Sequence, residues 1–170
     1  MSNPINATIL SLVLASSLPT LALESDSDQP IKIQADAAMV DEGQGTSIYR
    51  GNVIIVQGTL QVTADEVEIY TADSEVIQII AKAESNSNKL AHYEQQTNEE
   101  KDMVTAEAKK ITYLVQEKRL HLSGKARLLQ ERDEFVGELL YYDLGRGIVN
   151  LNSGGGSERI NMTINPKKDK

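Results

Sequence analysis

A short phrase that occurs four times along the chain constrains its fold more than any other feature of the sequence. Each copy consists of an apolar residue, a spacer, a small residue and an acid: IQAD at 33–36, VTAD at 62–65, VTAE at 104–107 and FVGE at 135–138. The offset that carries the second copy onto the fourth also superposes Gly51 on Gly124 and Gln57 on Gln130. Such repetition predicts supersecondary units that stack, because one unit cannot bury its apolar face alone.

The segments around these phrases alternate between apolar and polar residues, as half-buried β-strands do. Ile31, Ile33 and Ala35 alternate with polar residues in the first segment, and Leu60 and Val62 do so in the second. Frequent glycine-containing turns separate the segments. The apolar residues are mainly Ile, Val and Leu, with no Trp and a single Phe, and β-branched residues favour strands. The sequence therefore predicts an all-β protein.

One segment favours a helix when it is considered alone. Residues 104–122 have apolar side chains at near-helical spacing among the good helix formers Ala, Lys and Glu. Because this segment contains the third copy of the repeated phrase, we predict strands here as well.

The charge of the chain limits the partners that it can bind. Its formal net charge is −8 at pH 7, with a pI of about 4.8. Nucleic-acid phosphates and anionic lipid headgroups both favour a basic surface, so an anionic ligand would have to be held mainly by apolar contact. The absence of Cys excludes disulfides, thiolate metal sites and cysteine nucleophiles.

The N-terminus has the features of an export signal. The segment 1–23 contains no Asp, Glu, Lys or Arg, and the apolar stretch at 9–18 is too short to span a bilayer. We expect residues 1–22 to be a signal peptide cleaved after Ala22, although the usual positive n-region is missing. The alternative is a disordered or buried apolar N-terminus. Residues 23–166 are predicted to form a single domain and residues 167–170 a basic tail.

The acids of the repeated phrase are the first candidates for catalysis, because glycosidases use paired carboxylates. Asp36, Asp65, Glu107 and Glu138, however, recur at corresponding points of a repeat, whereas a catalytic pair is a single feature. Their pattern favours turn and capping roles.

No other motif in the sequence indicates catalysis or a cofactor. His92 and His121 lie far apart, with no carboxylate at metal-ligand spacing, and SGGGS at 153–157 lacks the Lys-Ser/Thr ending of a phosphate loop. We therefore predict no catalytic residue, no metal and no cofactor.

An apolar stripe runs through every repeat. Before the corners its members are Ile31, Ile33, Leu60, Val62, Val104 and Phe135, and after the corners they are Val67, Ile69, Ile111, Tyr113, Val115, Leu140 and Tyr142. The stripe either fills a closed core or lines a trough that opens along one side and accepts acyl chains. The sequence alone leaves both structures open.

Several longer motifs resemble a known family. The segments are IKIQAD at 31–36, YRGNVIIVQGTLQVTADEV at 49–67, ITYLVQEK at 111–118 and LSGKARLLQ at 122–130. In order and spacing they are similar to the LptA (OstA-like) family of periplasmic lipopolysaccharide-transport proteins. The resemblance extends from the apolar N-terminus to about Pro166. The chain departs from the family in its missing basic n-region and in the more acidic stretch at 84–103.

The resemblance implies a twisted, partly open antiparallel β jelly roll whose apolar interior binds the lipid A acyl chains of lipopolysaccharide. It places His92 at a lining position that is usually aromatic. The lipid-binding residues predicted from the stripe and the resemblance together are Ile31, Ile33, Leu60, Val62, Val67, Ile69, His92, Tyr113, Val115, Phe135 and Tyr142.

The resemblance also implies partners and a location. Family members stack head-to-tail in the periplasm and bridge an LptC-like inner-membrane protein to an LptD-like outer-membrane protein, without catalysis. The edges that would form these contacts contain Ser27, Ile31 and Ile33 at one end and Arg159, Ile160, Met162 and Ile164 at the other. The alternatives from other classes are a carbohydrate-active enzyme that uses the recurring carboxylates and a structural β-solenoid module with a closed core.

Overall fold

The structure, a computed structural model, describes residues 26–86, 88–97, 102–155 and 159–166. The predicted signal peptide at 1–22 and the predicted tail at 167–170 lie outside the described residues. Within the described ranges, no helix is long and apolar enough to cross a membrane.

A short 3-10 helix, Asp26–Asp28, precedes twelve strands in the described part of the chain. The strands are β1 Lys32–Gln34, β2 Ala37–Asp41, β3 Thr46–Gln57, β4 Leu60–Ala72, β5 Glu75–Lys82, β6 Ala91–Gln96, β7 Met103–Ala108, β8 Lys110–Leu114, β9 Arg119–Gln130, β10 Asp133–Asp143, β11 Ile148–Asn152 and β12 Asn161–Thr163.

Every strand pairing is antiparallel, which confirms the predicted all-β antiparallel fold. The segment 104–122, for which a helix was the alternative, contributes to β7, β8 and β9. In β7, Val104, Ala106 and Ala108 are buried and the residues between them are only partly buried. This period of two is that of a strand rather than of a helix.

The long strands β3, β4, β9 and β10 each pass through two layers of the molecule. In β4, residues 61–63 pair with β6 whereas residues 66–72 pair with β5. In β9, residues 119–123 pair with β8 whereas residues 127–130 pair with β7. We call the layer that contains β2, β5, β8 and β11 layer A, and the layer that contains β1, β6, β7 and β12 layer B. Pairing therefore runs in a closed ring, β4–β5–β8–β9–β7–β6, around the middle of the sheet.

A β-bulge marks the corner between the layers in β3 and again in β9. In β3, Gly51 and Asn52 together lie opposite the single residue Asp65, because Arg50 pairs with Glu66 and Val53 with Ala64. Gly51 and Asn52 have φ values of 78° and 47°. A Cβ on Gly51 would lie only 2.3 Å from Oδ2 of Asp36, so the close approach at this corner requires glycine.

The bulge in β9 is built in the same way. Gly124 and Lys125 lie opposite Glu138, with φ values of 79° and 54°. A Cβ on Gly124 would lie 2.7 Å from Cβ of Lys109. The equivalence of Gly51 and Gly124, and that of Asp65 and Glu138, is therefore confirmed.

The offset that carries Gly51 onto Gly124 relates much larger units than the repeated phrase. Shifted by this amount, Ala37–Asp41 coincides with Lys110–Leu114 and Thr46–Gln57 with Arg119–Gln130. Pairings repeat as well, since Ile33 pairs with Ile55 and Ala106 pairs with Leu128. The molecule is thus a duplication in which β1–β6 form one unit and β7–β12 form the second.

The duplication gives Asp36 a structural equivalent that differs from the one indicated by the repeated phrase. The Asp36 N–H donates to the Gly51 carbonyl at 3.0 Å, and the Lys109 N–H donates to the Gly124 carbonyl at 2.8 Å. The structural equivalent of Asp36 is therefore Lys109 and not Glu107. Of the four copies of the phrase, VTAD at 62–65 and FVGE at 135–138 occupy equivalent positions in the structure. The copies at 33–36 and 104–107 resemble them in sequence alone.

Candidate functional site

The inner faces of the two layers form one continuous apolar interior. The alternating strands direct these side chains inward, because successive residues of a strand point to opposite faces. Layer A contributes Val67, Ile69, Ile79, Ala81, Ile111, Tyr113, Leu120, Leu122, Leu140 and Tyr142, and layer B contributes Val53, Ile55, Leu60, Val62, Ala91, Tyr93, Val104, Ala106, Ala108, Ala126 and Leu128. Apart from the hydroxyls of these tyrosines, no polar or charged residue is buried in the described part of the chain.

The two layers meet at the centre of the molecule through aromatic side chains. The ring of Tyr93 in β6 lies 5.4 Å from that of Tyr113 in β8, in an edge-to-face arrangement at 65°. Tyr93 is fully buried and Tyr113 is 7% exposed. The centre of the interior is therefore filled by the protein's own side chains.

The buried tyrosines add no charge to the interior, because a phenol is already neutral at physiological pH. Burial raises the pKa of Tyr93 well above the ordinary value, and the neighbouring Tyr113 and Asp26 raise it further. Burial is also the main cause of the raised pKa of Tyr113 and of Tyr142. All three hydroxyls stay protonated at physiological pH, which suits contact with hydrocarbon rather than with an ion.

The N-terminal 3-10 helix is fastened to the rim of layer B. Both Asp26 carboxylate oxygens accept hydrogen bonds from Thr59, from its N–H at 2.7 Å and from its hydroxyl at 2.6 Å. Asp26 also accepts one from the Gln95 amide at 2.7 Å, and the Tyr93 hydroxyl donates to Gln95. A chain of polar contacts thus joins the N-terminal segment to the buried tyrosine pair.

The structure brings nearly all the predicted lining residues to this interior. Six are buried on its inner faces: Leu60, Val62, Val67, Ile69, Tyr113 and Tyr142. Four are partly buried and pack against the same core: Ile31, Ile33, Val115 and Phe135. The remaining residue, His92, lies elsewhere.

His92 lies on the outer face of layer B, so its assignment to the lining is corrected. Its Nε2 is 3.5 Å from Oε2 of Glu94 and its Nδ1 is 3.7 Å from Oε1 of Glu107. The buried residues of this strand are its neighbours Ala91 and Tyr93. Successive side chains of a strand point to opposite faces, so the aromatic residue of β6 on the inner face is Tyr93. The alternation of Ala91 and Tyr93 was the signal that would have identified the inner aromatic residue.

The four recurring carboxylates each have a structural contact near a corner or on the outer face. Oδ2 of Asp65 accepts from the Glu84 N–H at 2.8 Å, Oε2 of Glu138 from the Lys125 N–H at 3.2 Å, Oδ2 of Asp36 from Nδ2 of Asn52 at 3.0 Å and Oε2 of Glu107 from Nη1 of Arg127 at 3.4 Å. These contacts support the predicted turn and capping roles of Asp36, Asp65 and Glu138. Glu107 instead belongs to an ion-pair network across layer B.

A second ion-pair network lies on the outer face of layer A. Lys82 contacts both Glu66 and Glu68, and Arg50 contacts Glu66 at 2.7 Å. Hydrogen bonding to Lys82 is the main cause that lowers the pKa of Glu68. Within the described ranges, no group of three or more His, Asp or Glu side chains is placed to hold a metal ion.

The two ends of the molecule carry free strand edges. β1 and β2 pair only with β3, and β11 and β12 pair only with β10, among the described residues. Of the predicted edge residues, Ile31 and Ile33 are partly buried, Ser27 lies in the 3-10 helix, and Arg159, Ile160, Met162 and Ile164 are exposed. Sequence reasoning missed β2 and β11, which form the layer A part of each edge and expose Met39, Val40 and Ile148.

Comparison with known proteins identifies relatives of this chain. Residues 32–148 match the family described as LptA/(LptD N-terminal domain) LPS transport protein. The chain is 38% identical over 165 residues to the lipopolysaccharide export system protein LptH of Pseudomonas aeruginosa, with 94% of this chain and 91% of the relative covered. It is 28% identical over 138 residues to the lipopolysaccharide export system protein LptA of Escherichia coli K12, with 81% and 72% covered.

A solved structure has the same fold. The crystal structure of LptH, described as the LptA homologous periplasmic component of the lipopolysaccharide transport device of P. aeruginosa, superposes with a TM-score of 0.73 at 35% identity. The alignment covers 84% of this chain and 100% of that chain. From the sequence match over residues 32–148 and this shared fold, we conclude that the chain belongs to the LptA/LptD N-terminal domain family of lipopolysaccharide transport proteins.

Proposed function

We propose that this protein carries lipopolysaccharide by sheltering the lipid A acyl chains between its two layers. The observation that carries the proposal is the continuous, uncharged apolar interior, to which both layers contribute. Each methylene group that leaves water contributes about 0.8 kcal/mol, so a few acyl chains supply ample affinity. An acidic protein can therefore hold an anionic glycolipid without a basic surface.

The filled centre requires the layers to separate when acyl chains enter. Contacts such as that between Tyr93 and Tyr113 would be replaced by contacts with hydrocarbon. The bulges at Gly51 and Gly124 lie where the layers join, so the layers would open about these corners. No chemical step is needed, and we assign the protein a non-enzymatic role.

The partners follow from the same proposal. The free edges at the two ends provide unpaired backbone groups for strand addition, the contact by which edge strands recruit another chain. We propose that copies of this chain stack head-to-tail in the periplasm, between an LptC-like protein at the inner membrane and an LptD-like protein at the outer membrane. Lipopolysaccharide would pass along the interior towards the outer membrane.

The filled interior also favours one second candidate, a structural β-module whose core stays closed. Such a module would share the strands, the duplication and the buried tyrosines, but it would not admit lipid.

Site-specific photocrosslinking separates the two candidates. A photoreactive residue at position 113, on the inner face of β8, is expected to form adducts with purified lipopolysaccharide. The same residue at position 112 faces outward on the same strand and serves as the matched control. Adducts at 113 and not at 112 support transport through the interior. Their absence at 113 in a folded protein contradicts it and favours the closed module.

A further inference from the structure

The N-terminal turn, residues 26–29, lies in the opening between the two layers, because the side chains that hold it come from the inner face of layer B. Gln95 in β6 pairs with the fully buried Val104. Gln57 in β3 pairs with Leu60, which is 3% exposed. Residues directly opposite each other in a strand pair share a face, so both glutamines point inward at the rim of layer B.

Both inward glutamines bind the N-terminal turn. The Gln95 amide donates to the Asp26 carboxylate at 2.7 Å. The Gln57 amide donates to the backbone carbonyl of Ser27 at 3.3 Å and to that of Gln29 at 3.1 Å. Together with the two hydrogen bonds from Thr59 to Asp26, these contacts fix the turn to the inner side of the rim.

The Asp26 carboxylate lies close to the aromatic contact that joins the layers. Burial is the main cause of the raised pKa of Tyr93 and of Tyr113, and the negative charge of Asp26 adds to it in both cases. A lipid whose acyl chains lie between the layers must keep its sugars in water, so its polar part has to pass through the opening. The N-terminal turn occupies the opening at this place.

The second unit is arranged differently at the corresponding rim. Gln130, the counterpart of Gln57, comes near the layer A turn between β10 and β11, since a Cβ on Gly147 would lie 4.0 Å from its Nε2. In the first unit, the corresponding glutamine binds the N-terminal turn instead. The N-terminal turn is therefore an addition to the opening over the first unit.

We propose that the N-terminal turn is a latch that closes the opening over the first unit and leaves the rim when acyl chains enter. The contacts that hold it at the rim are hydrogen bonds, which water replaces at a small net cost when the turn is released. The inference rests on the proposed function, and it adds the place where the lipid enters and the residues that control its entry.

The substitution Gln95→Glu tests the latch by weakening it. The new side chain still accepts from the Tyr93 hydroxyl, but it places a second carboxylate beside Asp26 in place of the amide donor. Uptake of fluorescently labelled lipopolysaccharide by the purified protein is expected to be about tenfold faster, because a hydrogen bond to a charged group is lost. Gln96→Glu adds the same charge on the outer face, opposite Met103, and is expected to leave the rate unchanged.

A disulfide tests the latch by locking it. The natural chain contains no Cys, and the Asp26 and Thr59 side chains are in contact, so the variant D26C/T59C can join the turn to the rim. The oxidised form is expected to take up lipopolysaccharide at least about tenfold more slowly than the reduced form, a difference of about 1.4 kcal/mol. In the control I80C/T112C, which links β5 and β8 on the outer face of layer A, oxidation is expected to leave the rate unchanged.

The outcomes separate the latch from the proposed function. Equal uptake by the oxidised and reduced forms of D26C/T59C, with the disulfide shown by mass spectrometry, overturns the latch and leaves the proposed function intact. Equal uptake by Gln95→Glu and the natural protein does the same. Failure of the disulfide to form contradicts the docked position of the turn and also overturns the latch. If no form of the protein binds lipopolysaccharide, the natural chain included, the proposed function fails and the latch fails with it.

Discussion

Replacing Tyr93 by alanine is expected to lower the free energy of unfolding by about 3–5 kcal/mol, the range found when large buried aromatic residues are truncated. Tyr93 is fully buried and touches the opposite layer through Tyr113. Its removal leaves a cavity between the layers and takes the hydroxyl donor from Gln95. Urea denaturation of the purified protein measures the change through the shift in midpoint.

Tyr141 provides the matched control for this substitution. It is 45% exposed on the outer face, where its ring packs 4.8 Å from that of His121. Tyr141→Ala is expected to cost clearly less than Tyr93→Ala, because it loses the ring pair, which contributes about 0.5–1.5 kcal/mol, and only part of a buried surface, and it leaves no cavity between the layers. Equal losses for the two variants would contradict the assignment of inner and outer faces.

Replacing Phe135 by glutamate is expected to weaken binding of lipopolysaccharide by about tenfold or more, which corresponds to about 1.4 kcal/mol. Phe135 packs against the core from the inner face of β10, opposite Leu128. A carboxylate at this position would have to lose its hydration when acyl chains pack beside it. Because Phe135 is only partly buried, the fold should tolerate the change.

The neighbouring substitution Val136→Glu places the same charge on the other side of β10, opposite Arg127. Binding by this control is expected to match that of the natural protein. Titrations at low concentration, where light scattering shows a monomer, separate the effect on binding from any effect on assembly through the nearby Met162. Equal weakening by both variants would show that charge, rather than the inner face, governs binding.

The strands and the faces of most lining residues follow from the sequence, because they depend on local alternation. Leu60 and Val62 alternate with polar residues before the corner of β4, as Val67 and Ile69 do after it, and the structure buries all four. The equivalence of Gly51 and Gly124 also follows from the sequence, through the offset of the repeated phrase, whereas the bulges and the positive φ of both glycines are seen only in the structure.

Features that depend on pairing between distant segments were not predictable in this way. β2 was missed because Ala37–Asp41 is largely exposed and becomes a strand only through its partner β3. The full extent of the duplication was hidden because matching positions hold different residues, such as Asp36 and Lys109. The prediction for His92 was wrong because it rested on the family resemblance, whereas the alternation of Ala91 and Tyr93 places His92 on the outer face.

The sequence also could not show whether the protein's own side chains fill the interior. Tyr93 and Tyr113 belong to different strands in different layers, and only the folded structure shows that their rings meet. Under the proposed function, this contact must be broken before acyl chains can enter between the layers.

The most direct test of the central claim is a competition between acylated and deacylated ligands for the purified protein. Fluorescently labelled lipopolysaccharide is bound first, and unlabelled lipid A or fully deacylated lipopolysaccharide is then added. If acyl chains occupy the space between the layers, lipid A displaces the label and the deacylated sugar does not. Displacement by the deacylated sugar, together with failure of lipid A to compete, would contradict the account.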